Sequence, residues 1–133
     1  MTNQFNDTKN KDLIDWFVEV SNAQSGIFVV AGPVGGAIWS TQAKCIDGLK
    51  ALGKACYAGE SRDRYYLEDA VKHANLGDLV IIAMIVDTPE NAIQTIKDFA
   101  IEGAIDLVRG IIFQRIDTSE LSPKLCAIYT KLI

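Results

Sequence analysis

Three stretches of this sequence carry residue types that could hold a ligand. The first is Gly32-Pro33-Val34-Gly35-Gly36, set between an apolar run and a helix-patterned segment. Its glycines let backbone amides approach an anion closely, at the positive end of the helix that follows. Ser40 and Thr41 stand one turn further on and add hydroxyl donors. The expected anion holders are therefore the amides of Gly35 and Gly36 together with Ser40 or Thr41. The spacing is neither the dinucleotide fingerprint G-x-G-x-x-G nor a P-loop, because no Lys-Ser or Lys-Thr follows the glycines. A plain strand-to-helix turn without a ligand reads equally well.

The second stretch, Glu60-Ser61-Arg62-Asp63-Arg64-Tyr65-Tyr66, concentrates charge and aromatic rings. Arg62 and Arg64 could clamp a phosphate or carboxylate. Glu60 could accept from sugar hydroxyls, and Glu60, Ser61 and Arg62 are expected to take the part of a ligand beyond its anion. A solvated loop whose charges pair among themselves is the alternative. The third stretch, Met84-Ile85-Val86-Asp87-Thr88, is mostly apolar, and Thr88 is explained as a helix cap ahead of Pro89.

Acid–base chemistry has thin support. His73 is the one histidine, and Asp69, one helical turn back, is the acid spaced to pair with it. No Ser/His/Asp or Cys/His spacing is present, so the catalytic residue stays unknown. Cys45, Cys56 and Cys126 are widely spaced without a C-x-x-C pair. They read as three buried, reduced thiols, with no metal site and no cofactor expected.

The elements that must position these groups follow from periodicity. Residues 1–10 are polar and read as a disordered tail ahead of a single domain. Leu13, Ile14, Phe17 and Val18 mark a helix from Lys11 to Ala23. Ile27 to Ala31 is an apolar run suited to a strand buried on both faces. A helix from Ala37 to Leu52 ends at Gly53. A weak strand, Lys54 to Ala58, precedes a helix carrying Leu67, Ala70, Val71 and Ala74. Asp78 to Val86 is the best strand. Thr88-Pro89 opens a helix closed by Gly103, and Leu107 to Phe113 is a further strand. Leu121, Leu125, Ile128 and Leu132 stripe a last helix. Strands alternating with helices specify crossovers and a parallel sheet covered on both faces. The expected fold is a three-layer α/β/α sandwich, flavodoxin-like or Rossmann-like, with four or five parallel strands.

Composition narrows the function. The chain has 133 residues, 49% hydrophobic and 23% charged, which suits one folded domain. A net charge of −4 argues against tracking nucleic-acid backbones. No apolar run is long enough to span a membrane. Met1 to Lys11 lacks the charged-then-apolar pattern of a signal peptide, so a cytoplasmic protein is expected.

The ordered segments GIFVVAGPVGGAIW, DGLKALGKACYAGES, LGDLVIIA and AIEGA resemble the SIS (sugar isomerase) domain, a phosphosugar-binding family. Gly59-Glu60 and Gly77-Asp78-Leu79 are the closest local matches. The resemblance covers Gly26 to about Phe113 and implies the same layered fold. The departures fall on the ligand turns. Val34-Gly35-Gly36 offers no hydroxyl, and only Thr88 survives, displaced by one position, where the family has a Ser/Thr-rich turn. The resemblance implies a divergent SIS-like protein that binds a small phosphorylated or acidic sugar-type ligand without strong isomerase activity. The alternatives are a nucleotide- or coenzyme-binding Rossmann module and a non-catalytic interaction subunit. A homodimer built from the first and last helices is expected, since apolar stripes there would otherwise stay uncovered.

Overall fold

The computed structural model describes residues 10–118 and 124–132. In chain order the elements are α1 (Lys11–Asn22), β1 (Gly26–Gly32), α2 (Ile38–Ala51), β2 (Tyr57–Glu60), α3 (Arg64–Asn75), β3 (Leu79–Ile85), α4 (Pro89–Asp98), α5 (Ala104–Leu107), β4 (Val108–Asp117) and β5 (Lys124–Lys131). The strands form one sheet in the order β2-β3-β1-β4-β5. β1 runs parallel to β3 and β4, and β2 runs parallel to β3, while β5 is antiparallel to β4. The chain is thus an α/β protein with a mixed, mostly parallel sheet.

The apolar runs sit where the sequence pattern puts them. β1 is buried along its whole length, as a central parallel strand covered on both faces must be. Its side chains alternate between two cores. Ile27, Val29 and Ala31 pack with α3, α4 and α5 through Leu67, Val71, Ile96 and Ala104. Phe28 and Val30 pack with α1 and α2 through Leu13, Trp16, Cys45 and Leu49. Burying each large aliphatic or aromatic side chain contributes about 1.5–3 kcal/mol, so both helical layers are anchored by the same strand. Trp16 meets Phe28 edge-to-face, with ring centroids 6.3 Å apart.

Four expectations need correction. The C-terminal stripe is a strand, not a helix: β5 pairs with β4 from Gly110↔Lys131 to Asp117↔Lys124. Leu125, Ile128 and Leu132 recur at helical spacing, but the open edge of β4 offers a ladder that a lone terminal helix could not match. Tyr129 and Thr130 suit that ladder. Leu121 lies outside the described residues. The last of the two helices expected to build a dimer is thus a strand, and Trp16 and Val20 of the first are buried within their own chain, where α1 packs on β4 and β5.

Asn10, assigned to the tail, is buried, and its carbonyl accepts from the Ile14 amide at 3.2 Å. The rest of that tail, residues 1–9, lies outside the described residues. Of the thiols, Cys45 is buried, whereas Cys56 and Cys126 are only partly so. β2 begins at Tyr57 rather than Lys54, because Lys54 turns inward to donate to the Ser21 and Ala23 carbonyls. Among the described residues, no helix is long and apolar enough to cross a membrane.

The terminal strand can be tested by two substitutions. A Cβ at Gly110 would fall 2.7 Å from the Tyr129 ring. Gly110→Ala should therefore cost about 1–3 kcal/mol by overpacking. Ile128 is exposed on β5, and Ile128→Thr should move stability by less than about 0.5 kcal/mol. Urea denaturation followed by circular dichroism measures both.

Candidate functional site

β1 and β3 are neighbours, but the helices that follow them lie on opposite faces of the sheet. α2 leaves β1 toward the Phe28 face, and α4 leaves β3 toward the Ile27 face. Such a switch point opens a crevice beyond the carboxyl ends of the strands. Here the crevice holds about 400 Å³. Ala83, Met84 and Ile85 of β3 form its base, Trp39 stands in the first turn of α2, and Thr95 faces it from α4. Glu60, Ser61 and Arg62, at the end of β2, complete it.

The sequence-based candidates divide between this crevice and the glycine loop. Glu60, Ser61 and Arg62 line the crevice together. Arg62 is already partnered: its Nη2 lies 2.6 Å from Glu60 Oε1, and its guanidinium lies over the Tyr66 ring, 4.9 Å from the centroid. Arg64 does not join it. Arg64 turns away to Glu68, at 2.6 Å, and to the Phe99 carbonyl. Thr88 caps α4 by accepting from the Asn91 amide at 3.1 Å, and it does not line the crevice.

The glycine loop is bound up with the protein itself. The Gly36 amide donates to the Pro33 carbonyl at 2.9 Å. The Gly36 carbonyl accepts from Gln114 Nε2 at 2.7 Å, and Thr41 donates to Gln114 Oε1 at 2.7 Å. Thr41 and Gln114 are both fully buried. Gly36 and Thr41, expected to hold an anion, therefore hold β4 to α2 instead. Gly35 and Ser40 are exposed, and Gly35 sits at φ 83°. Gln114 was missed by the sequence reading. Its signal was a polar residue continuing the apolar run Ile111-Ile112-Phe113 into a strand longer than the apolar pattern implied.

Beyond Gly32 the loop matches no position of the Walker A pattern. Counting G-x-x-x-x-G-K-[ST] from Gly32 puts Ala37 at the second glycine, Ile38 at the lysine and Trp39 at the hydroxyl. Ala37 is left-handed, at φ 61°, a conformation glycine adopts far more readily. Ile38 is buried in the core. A second polar group, at the start of β2, stands apart from this loop. The Tyr57 ring stacks on His73 with centroids 3.8 Å apart, and Tyr57 donates to Asp69, which raises the tyrosine pKa, with burial adding to the shift. Asp69 lies 4.0 Å from His73 Nε2, but Asp78 approaches Nδ1 more closely, at 3.0 Å. Asp78 escaped the helical spacing rule because Gly77, at φ 91°, turns the chain back after α3.

No protein-family model and no curated protein matches the chain. Solved structures do. The X-ray structure of the Legionella pneumophila ATPase DotB superimposes with a TM-score of 0.67 at 15% identity, over 88% of this chain and 48% of that one. The Yersinia pseudotuberculosis ATPase DotB gives 0.63 at 15% identity, over 86% of this chain and 46% of that one. The chain thus spans about half the length of these structures, and at such identity the likeness is one of fold. Neither neighbour carries the SIS name.

The Gln114 relay gives a direct test. Gln114→Leu removes the donor to the Gly36 carbonyl and the acceptor for Thr41. It should cost about 1–3 kcal/mol through buried polar groups left short of partners. Thermal unfolding of the two proteins measures the loss.

Proposed function

We propose that this chain is a non-catalytic nucleotide-fold module, one that binds a small ligand in the strand-end crevice and does not carry out phosphoryl transfer. The observation that carries this reading is what stands at two adjacent positions of the loop, Ile38 and Trp39. In a P-loop, the lysine reaches the β- and γ-phosphates and the following hydroxyl holds Mg²⁺. Here those positions are Ile38, buried, and Trp39, an indole facing the crevice. Residues 33–43 contain no lysine or arginine to take over the charge. The DotB structures are ATPases, and their fold likeness supports the nucleotide-type architecture alone.

The same inventory gives a sugar phosphate little support. Among the described residues Arg62 is the single cation lining the crevice, and Glu60 pairs with it. The interaction-subunit reading has one observation in its favour. Val34, Tyr65 and Ile85 are exposed apolar or aromatic residues in the loop after β1, the first turn of α3 and the end of β3. Light scattering of the purified chain with and without Val34→Ser and Ile85→Ser would show whether this rim holds an assembly together.

Incubation with Mg-ATP or Mg-GTP, followed by phosphate release, tests the main reading. The expected result is a rate indistinguishable from buffer. Turnover that scales with protein concentration and survives repurification would overturn it.

A further inference from the structure

We infer that the crevice takes an uncharged planar heteroaromatic ligand of the nucleoside class, stacked on Trp39, an inference that rests on the non-catalytic reading above. The chain has two tryptophans with opposite fates: Trp16 is fully buried, and Trp39 is 50% exposed at the crevice. An indole left half in water at the edge of an apolar hollow offers a flat face for a ring to cover. The base of the hollow is apolar and rigid, formed by Ala83 and Met84 of the buried strand β3. Its size, about 400 Å³, falls within the range of small-molecule sites, about 300–1,000 Å³.

The polar groups gather at the end of β2, and their chemistry decides the class. Glu60 is the last residue of β2. A carboxylate after a strand of this kind of sheet accepts from ribose hydroxyls in dinucleotide-binding folds. Arg62 fixes the Glu60 carboxylate at 2.6 Å and leaves its second oxygen for the ligand. Ser61 stands between them and is 9% exposed. A base on Trp39 with its sugar at Glu60 satisfies both ends of the crevice.

Phosphates find no equivalent. The Gly36 amide is committed to Pro33, and its carbonyl to Gln114. The protein carries a net charge of −4, and each phosphate would add negative charge beside Glu60, where the described lining residues offer no cation beyond Arg62. The ligand is therefore the nucleoside rather than its triphosphate.

Equilibrium titration of the full chain by calorimetry and by tryptophan emission tests this. Adenosine, guanosine and uridine serve as probes, with ATP and fructose 6-phosphate as the charged comparisons. At least one nucleoside should saturate and quench emission, and its triphosphate should bind at least tenfold more weakly. Trp39→Ala should weaken the nucleoside at least tenfold while Trp16 keeps its buried emission, which reports that the variant is folded. Glu60→Gln should weaken the ribonucleoside more than the 2′,3′-dideoxynucleoside. Three results would overturn the inference: no saturation by any nucleoside up to millimolar concentration, affinity unchanged in Trp39→Ala, or ATP binding as tightly as adenosine. Phosphate release is measured on the same samples. Absence of turnover with absence of nucleoside binding sinks this inference alone, whereas turnover sinks the reading beneath it.

Discussion

The carbonyl oxygen of Gln114 lies where a β-carbon on Gly32 would have to go, at 2.2 Å. β1 and β4 can run side by side to their carboxyl ends only because position 32 has no side chain. The approach brings Gln114 under the loop, where its amide takes the Gly36 carbonyl and its oxygen takes the Thr41 hydroxyl. The start of α2 is fixed by that relay, not by a side-chain cap, since Ala37 supplies none. Once α2 is fixed, Trp39 has one place to stand. The placement of α2, and with it of Trp39 at the crevice, thus rests on a backbone contact deep in the sheet.

This explains why two of the groups that look like anion holders in sequence, Gly36 and Thr41, are engaged within the protein. Glycines permit close backbone approach, and sequence alone leaves open what approaches. In phosphate-binding loops the approach is made by a ligand, and the amides point outward to it. Here β4 makes the approach from inside. The Gly36 amide and the Thr41 hydroxyl are taken by Pro33 and Gln114, while Gly35 and Ser40 stay exposed.

Much of the fold was legible because the apolar runs are unambiguous. Val80 to Met84 and Ile27 to Ala31 can only be central strands, and Thr88-Pro89 announces α4 with a cap that the structure retains. The last segment was not legible, for a physical reason. Leu125, Ile128 and Leu132 fit a helical period, and strand pairing with β4 is a long-range term that no local period contains. The ladder is also admitted by Gly110, whose missing side chain makes room for the Tyr129 ring. Of the candidate site, Glu60, Ser61 and Arg62 were visible as a charged loop at a strand end. Trp39 was hidden by its neighbours, since a tryptophan in an amphipathic helix reads as core. Gln114 was hidden by its distance: the residue that fixes the loop stands 78 positions from Gly36.

Positions 38 and 39 of the loop are better understood together than apart. A lysine at 38 would need water or a phosphate for its charge, and position 38 faces a dry core shared with Cys45 and Leu49. An isoleucine there strengthens the packing of α2 and removes the need for an anion to balance the site. Trp39, the next residue, carries a large apolar surface that stays half exposed. That surface faces the crevice rather than the core because α2 has already committed its inward face through Ile38, Thr41 and Gln42. Gln42 donates to the Gly59 and Ile81 carbonyls at 2.8 and 2.9 Å and so ties the same helix to β2 and β3. The residue that ends β2, Glu60, is thereby held across the crevice from Trp39. A buried isoleucine at 38 and a half-exposed indole at 39 thus give this wall of the crevice an apolar, aromatic face with no charge of its own.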